Sequence, residues 1–275
     1  MAARPILACL VAGAGMTLPA LAQSPAPAVH TTFEVATVKR NTSGDVNSWL
    51  DAKPGGIVVA FNLTLRSLIR NAYEVQISQI EGGPPWLDSD RFDITATAGG
   101  PATREQRVSM LKALLEDRFK LVARIEPREM QVLALVLARS DRQLGPQLRP
   151  SAVDCEAIRA KADGPPPPGA DGQPVCGGRS RAGNIVARGV TMTEVARNIT
   201  SQAGSFVVDR TGLTGGFDFD LQWTPEPAAG DGRRDILDGP SFTTALQEQL
   251  GIKLERQRAP IDILVIDRAE QPSPD

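Results

Sequence analysis

Two stretches of strict alternation, Phe92-Asp93-Ile94-Thr95-Ala96-Thr97-Ala98 and Phe217-Asp218-Phe219-Asp220-Leu221-Gln222-Trp223, occupy the same place in a longer order of segments. Apolar and polar side chains that alternate with period two describe a strand with one buried face. Upstream of each lies a short apolar strand, Gly56 to Phe61 and Asn184 to Arg188, followed by a one-faced helix. In the first helix Leu65, Leu68, Ile69, Ala72 and Tyr73 fall at i, i+3, i+4, i+7 and i+8. In the second, Met192, Val195, Ala196 and Ile199 share a face behind a Thr191-x-x-Glu194 capping box. A turn-rich stretch then intervenes, around Gly82-Gly83-Pro84-Pro85 in one case and from Asp209 to Gly216 in the other. Downstream of each alternating strand comes another helix. One opens at a Thr103-x-x-Gln106 box with Val108, Leu111, Leu115 and Phe119 on a face; the other carries Phe242, Ala245, Leu246 and Leu250. Leu63-Thr64-Leu65 aligns with Val190-Thr191-Met192 at an offset of 127, and Phe92-Asp93 with Phe217-Asp218 at 125. Ordered recurrence on this scale exceeds what helix and strand base rates supply, and implies an internal duplication.

Each copy is expected to end in strands. Leu121, Ala123 and Ile125 face inward on one, which turns at Pro127-Arg128 into the apolar run Gln131 to Ala138, a strand covered on both faces. At the other end Ile252 to Glu255 and Ile261 to Asp267 are predicted to form a closing hairpin, and Phe33 to Lys39 is one more strand. The predicted fold class is α+β: two similar halves, each with two amphipathic helices packed on a mixed or antiparallel sheet. A helix that runs directly into a hairpin argues against a doubly wound parallel sheet. The halves span residues 33–138 and 184–268, joined by a Pro/Gly-rich segment, 139–183, and followed by a tail, 269–275.

The first 22 residues read as a signal peptide, with Arg4, an apolar stretch from Ile6 to about Leu21, and the small-x-small pattern Ala20-Leu21-Ala22 before Gln23. A membrane anchor is disfavoured by Gly13, Gly15, Thr17 and Pro19 within the stretch, and by the loose linker, 23–32, after it. No other run reaches the ~18 apolar residues a span requires, so the mature chain is expected to hold no stable membrane segment, and its location is periplasmic or extracellular. In such an oxidising compartment Cys155 and Cys176, left as a pair once Cys9 departs, default to a disulfide around the tract Gly164-Pro165-Pro166-Pro167-Pro168-Gly169. A metal pair or redox dithiol would require a Cys-x-x-Cys spacing or further ligands. Closing a loop of about twenty residues is worth ~3 kcal/mol on the chain-entropy account.

Composition removes whole classes of chemistry. His30 is the single imidazole in 275 residues and falls in the linker, so multi-histidine metal sites are excluded and a nucleophile-His-acid triad would have to use His30 itself. A net charge of -2 and 4% aromatic residues offer neither a basic stripe nor a stacking platform for nucleic acid. No metal site or cofactor motif is read: Asp209-x-Thr211-Gly212 is an Asx-type turn without a phosphate-loop Gly-Lys-Ser/Thr. The candidate ligand-binding residues are Asp218 and Asp220, which period two places on one face, with Asp209 nearby. Together they are suited to Ca²⁺ or acid/base chemistry, against the plainer expectation of a polar outer strand face. Trp86, beside Pro84-Pro85, is either a stacking residue for a ligand or a cap on the core. Trp223 continues the inward phase of its strand and should be core.

Five ordered blocks carry a resemblance over the whole mature chain: Phe33 to Lys39; Gly83-Pro84-Pro85-Trp86-Leu87-Asp88 with Arg91-Phe92-Asp93; Leu114-Leu115 with Arg118-Phe119-Lys120-Leu121; Val208 to Gly215 with Phe217-Asp218-Phe219; and Ala245 to Gly251 with Val265-Ile266-Asp267. They resemble the soil-bacteria-associated, Solibacter-type family of secreted proteins of unknown function. Relatives that look fused to a β-lactam-sensing membrane metallopeptidase imply a sensing or interaction role. The family pattern often has His where this chain has Arg124 and Arg268, which weakens any histidine chemistry the resemblance would carry. Gly251 to Leu254, after its helix, is more faintly similar to the short N-terminal domain of secretins and TonB-dependent receptors. The expected function is that of a non-catalytic exported binding module with an envelope protein or peptide as partner. The alternative is a carboxylate-based hydrolase or Ca²⁺-dependent enzyme built on Asp218 and Asp220.

Overall fold

A computed structural model describes residues 32–161, 168–169, 172, 175–225 and 239–273. The expected signal peptide and all but the last residue of its linker, His30 included, lie outside the described residues, as does most of the proline tract.

Along the chain run β1 (Val35–Arg40), β2 (Trp49–Lys53), β3 (Ile57–Thr64), α1 (Leu65–Tyr73), β4 (Ile80–Gly82), α2 (Trp86–Ser89), β5 (Arg91–Thr97), α3 (Arg104–Arg118) and β6 (Val122–Leu137). There follow β7 (Arg149–Pro150), α4 (Cys155–Lys161), β8 (Gly177–Arg181), β9 (Asn184–Val190), α5 (Met192–Asn198), α6 (Thr200–Ala203), β10 (Val207–Asp209), β11 (Phe217–Gln222), α7 (Phe242–Ala245) with a π-helical turn Leu246–Leu250, and β12 (Ile252–Arg268). Four helices, α1, α3, α5 and α7, start where a hydroxyl relieves an orphan amide. Thr64 accepts from the Ser67 N–H and Ser241 from that of Thr244. Thr103 with Gln106 and Thr191 with Glu194 form the two expected capping boxes.

Three four-stranded sheets result, two of them antiparallel, ordered β1-β5-β3-β2 and β7-β11-β9-β8, with β7 and β8 both supplied from within 139–183. The third, β10-β6-β12-β4, is mixed: β6 and β12 pair antiparallel, β10 joins β6 in parallel through Val207 opposite Leu133, and β4 joins β12 in parallel through Ile80 opposite Leu264. The class is therefore α+β, as expected, but the third sheet is shared along the chain: β4, formed early, lies against β12, formed last.

Two expected turns are absent. β6 runs 16 residues straight through Pro127, and β12 runs 17 straight through Pro260, where a turn and a hairpin were anticipated. The prolines fit because of ladder phase. The Leu133 N–H donates to the Phe206 carbonyl at 2.8 Å, and the Arg210 N–H to the Leu135 carbonyl at 2.9 Å. Odd-numbered residues of β6 therefore aim their polar groups away from β12. Pro127 shares that phase, so its nitrogen sits on an outer edge that β10 does not reach. Pro260, opposite Glu129, is placed alike, and a strand tolerates proline at such an edge. Ile125, expected inward, is 62% exposed.

The apolar residues of β12 change phase along its length. Ile252, with Leu135 from β6, closes one core formed by Phe217, Phe219, Met192 and Leu246. Leu264 and Ile266 close another, made with Phe92, Leu68 and Leu115. Between them Ala259, Ile261 and Ile263 turn to the opposite face and pack with Val132. Each fully buried Leu, Ile or Phe contributes about 1.5–3 kcal/mol, so β12 is a principal contributor to all three clusters. Cys155 and Cys176 form the expected disulfide, with Cα atoms 5.6 Å apart.

Candidate functional site: a groove between two sheet edges

The carboxylates singled out in the sequence are engaged in local structure. Asp218 accepts the Gly189 N–H at 2.9 Å, and Gly189 has φ +59°. Asp93, in the matching place on β5, accepts the Asn62 N–H at 2.8 Å, and Asn62 has φ 55°. At both positions the ladder slips, between Phe217 and Phe219 and between Ala60 and Leu63. A bulge in a strand takes an amide out of its ladder, and here an aspartate receives it. Only glycine serves at 189, because an added Cβ would stand 2.2 Å from the Cys155 Sγ. Asp220 accepts the Asn184 side-chain amide at 2.7 Å. Asp209 accepts the Thr211 N–H at 2.9 Å and its hydroxyl at 2.8 Å, the Asx turn read from the sequence. The three carboxylates thus face three different sets of partners. Among the described residues no group of three or more His, Cys, Asp or Glu side chains is arranged to hold a metal ion.

Trp86 opens α2, is half-buried against the first core, and meets Phe92 edge-on at 6.3 Å. Trp223 is partly buried, edge-on to Phe242 at 5.2 Å. Each packs, partly buried, against its own core.

A groove of about 510 Å³ opens elsewhere. One wall is β2, the outermost strand of the first antiparallel sheet, with Leu50, Asp51 and Ala52; another includes Gly177 at the start of β8, the outermost strand of the second, next to Cys176. Residues of the outermost strands of two different sheets thus line one space, together with Val58 of β3, the strand inside β2. The helices close it: α1 supplies Glu74 just past its end, α3 supplies Arg104 and Arg107, α4 supplies Arg159, and α5 supplies Glu194. Arg104 pairs with Glu74, and Arg159 Nη1 donates to Glu194 Oε1 at 2.7 Å. The second Glu194 oxygen accepts the Thr191 N–H at 2.8 Å. Burial pushes the Glu194 carboxyl up, but the Thr191 amide and the Arg159 guanidinium outweigh it and hold the group below its ordinary value. Gln76, shortly after α1, donates its side-chain amide to the Arg197 carbonyl at 3.2 Å and to the Thr200 hydroxyl at 3.1 Å, joining that segment to α5 and α6.

The groove was not legible beforehand. In the sequence Glu194 reads only as a helix cap, and Arg104, Arg107 and Arg159 lie on ordinary polar helix faces. No sequence spacing joins them, because their proximity follows from how β2, α3, α4 and α5 pack. A family model described as "Protein of unknown function (DUF3738)" matches residues 66–269. No curated protein and no solved structure matches the chain.

Proposed function

This chain belongs to the DUF3738 family, and we propose that it is an exported, non-catalytic binding module that receives an extended peptide segment between β2 and β8. The observation that carries this is the groove itself, which is lined by residues of the outermost strands of two sheets. Strand addition at such an edge draws affinity from main-chain hydrogen bonds and specificity from the pockets beside it. The outer edges of β6 and β12 are poorer sites, since Pro127 and Pro260 each remove an outward donor there. Neither β2 nor β8 contains proline, and Gly177-Gly178 lets another backbone come close.

Export is supported by the pattern of residues 1–22 and by the disulfide, which belongs to oxidising compartments. The structural employment of Asp209, Asp218 and Asp220 supports binding over carboxylate chemistry. The same proposal includes an internal duplication, supported by the Asp93–Asn62 and Asp218–Gly189 pairs and by the like places of β4 and β10 beside the central strands.

Panning a random ten-residue peptide library against the disulfide-bonded protein tests the binding site. Neighbouring residues on a strand aim their N–H groups at opposite edges, so one of Asp51→Pro and Ala52→Pro removes an outward donor while leaving the sheet paired. That variant, identified by an unchanged melting temperature, is expected to lose peptide capture. Undiminished capture by it rejects strand addition at β2.

A further inference from the structure

We propose that the extended segment carries a bulky apolar side chain, Leu, Ile, Met or Phe, which enters a slot between β8 and α5; this rests on the strand-addition reading above. The slot holds about 210 Å³, and its walls are Ile185, Ala187, Val190, Val195, Ile199 and Phe219, all of them buried core residues. It follows from the composition of β8. Gly178 stands opposite Ala187 and Ser180 opposite Ile185, and residues directly opposite on paired strands share a face. Both positions therefore look toward the core, yet neither carries a side chain that fills the space toward α5. Arg179, the charged residue of the lining, sits between them on the opposite phase, across from Val186. The outermost strand of the first sheet differs, because β2 packs Leu50 against the core beneath it. The slot also continues the groove along β8. Gly177 and Glu194 line the groove, and the residues that follow them, Gly178 and Val195, line the slot. Side chains of an added strand alternate between faces, so a segment paired along β8 sends every second one toward α5. The one that passes Gly178 and Ser180 comes over apolar walls. An apolar cavity of about 150 Å³ takes a benzene ring, so about 210 Å³ is enough for one such side chain. A charged side chain would lose its water there without a partner of opposite charge on the buried walls.

The test is the sequence content of the captured library peptides. Those held by the unmodified protein are expected to contain Leu, Ile, Met and Phe together at least twofold above the input library. Two substitutions at exposed positions plug the slot from opposite walls, Ser180→Leu from β8 and Asn198→Leu from α5. Each should remove the apolar excess, or the capture itself, whereas Ser180→Ala leaves the slot open and should keep both. Melting curves identify the folded variants, and either plug alone suffices. Capture with no apolar excess overturns the side-chain preference and leaves strand addition standing. An excess that persists in a folded plugged variant places the apolar side chain elsewhere and overturns the assignment to the slot. No capture of any peptide by the unmodified protein overturns the strand-addition reading and this inference with it.

Discussion

At the scale of single residues, the aspartates show how a side chain that looks like chemistry is claimed by the backbone. Asp218 holds the amide of Gly189 at a bulge, and Asp93 does the same for Asn62. Removing the acceptor leaves a part-buried N–H without its partner, a loss of about 1–3 kcal/mol. Asp218→Ala should accordingly lower stability by that amount in urea titration, and an unchanged midpoint would show that the bond does not matter. Glu194 supplies a prediction in pH. Its folded pKa lies below the ordinary carboxylate value, so its stabilisation is complete above the unfolded pKa of about 4.3 and is lost as pH falls through the folded value. Between about pH 5 and pH 3 the protein should therefore lose more stability than Glu194→Gln does. Parallel loss in the two would remove Glu194 as a contributor.

At the scale of elements, what was legible is what local physics determines. The helix starts at Thr103 and Thr191 are set by side chains three residues apart, and the alternation from Phe92 and from Phe217 is set by the pleat. The long strands were misjudged because β12 buries Ile252 on one face, then Ala259, Ile261 and Ile263 on the other, and such a phase change beside a proline has the same sequence signature as a turn. Only the partner strands decide between the two. The phase assigned to β6 is open to a proline test. Glu129 shares the outward phase of Pro127, so Glu129→Pro should cost within about 1 kcal/mol, whereas Arg128→Pro strikes the ladder with β12 and should cost about 3 kcal/mol or more. Arg128→Ala separates out the loss of the ion pairs that Arg128 makes with Glu81 and Glu126. Equal costs for the two prolines would refute the assigned phase. The disulfide belongs to this scale too. It spans 21 positions and brackets a proline-rich tract, so replacing both cysteines by serine should cost about 3 kcal/mol, measured as the shift in urea midpoint.

At the scale of the molecule, the central sheet joins what the sequence presents as two series. β4 follows α1 yet pairs with β12, and β10 follows α6 yet pairs with β6. A single strand, β12, places Ile252 in one core and Leu264 with Ile266 in the other. Withdrawing β12 from β6 breaks the longest ladder among the described residues and exposes the share of the strand that each core holds. The two cores should therefore unfold together. Trp86 reports on one and Trp223 on the other, so variants that keep one of them as the sole tryptophan can follow each core separately. In both, the urea transition should have the same midpoint, as two-state unfolding requires. Leu264→Ala deletes a buried side chain from the first core at a cost of about 2–5 kcal/mol. It should lower the midpoint seen by Trp223 as much as the one seen by Trp86, although Trp223 belongs to the other core. A shift confined to the Trp86 signal would mean that the cores melt independently, and that the sharing of β12 couples them in geometry but not in free energy.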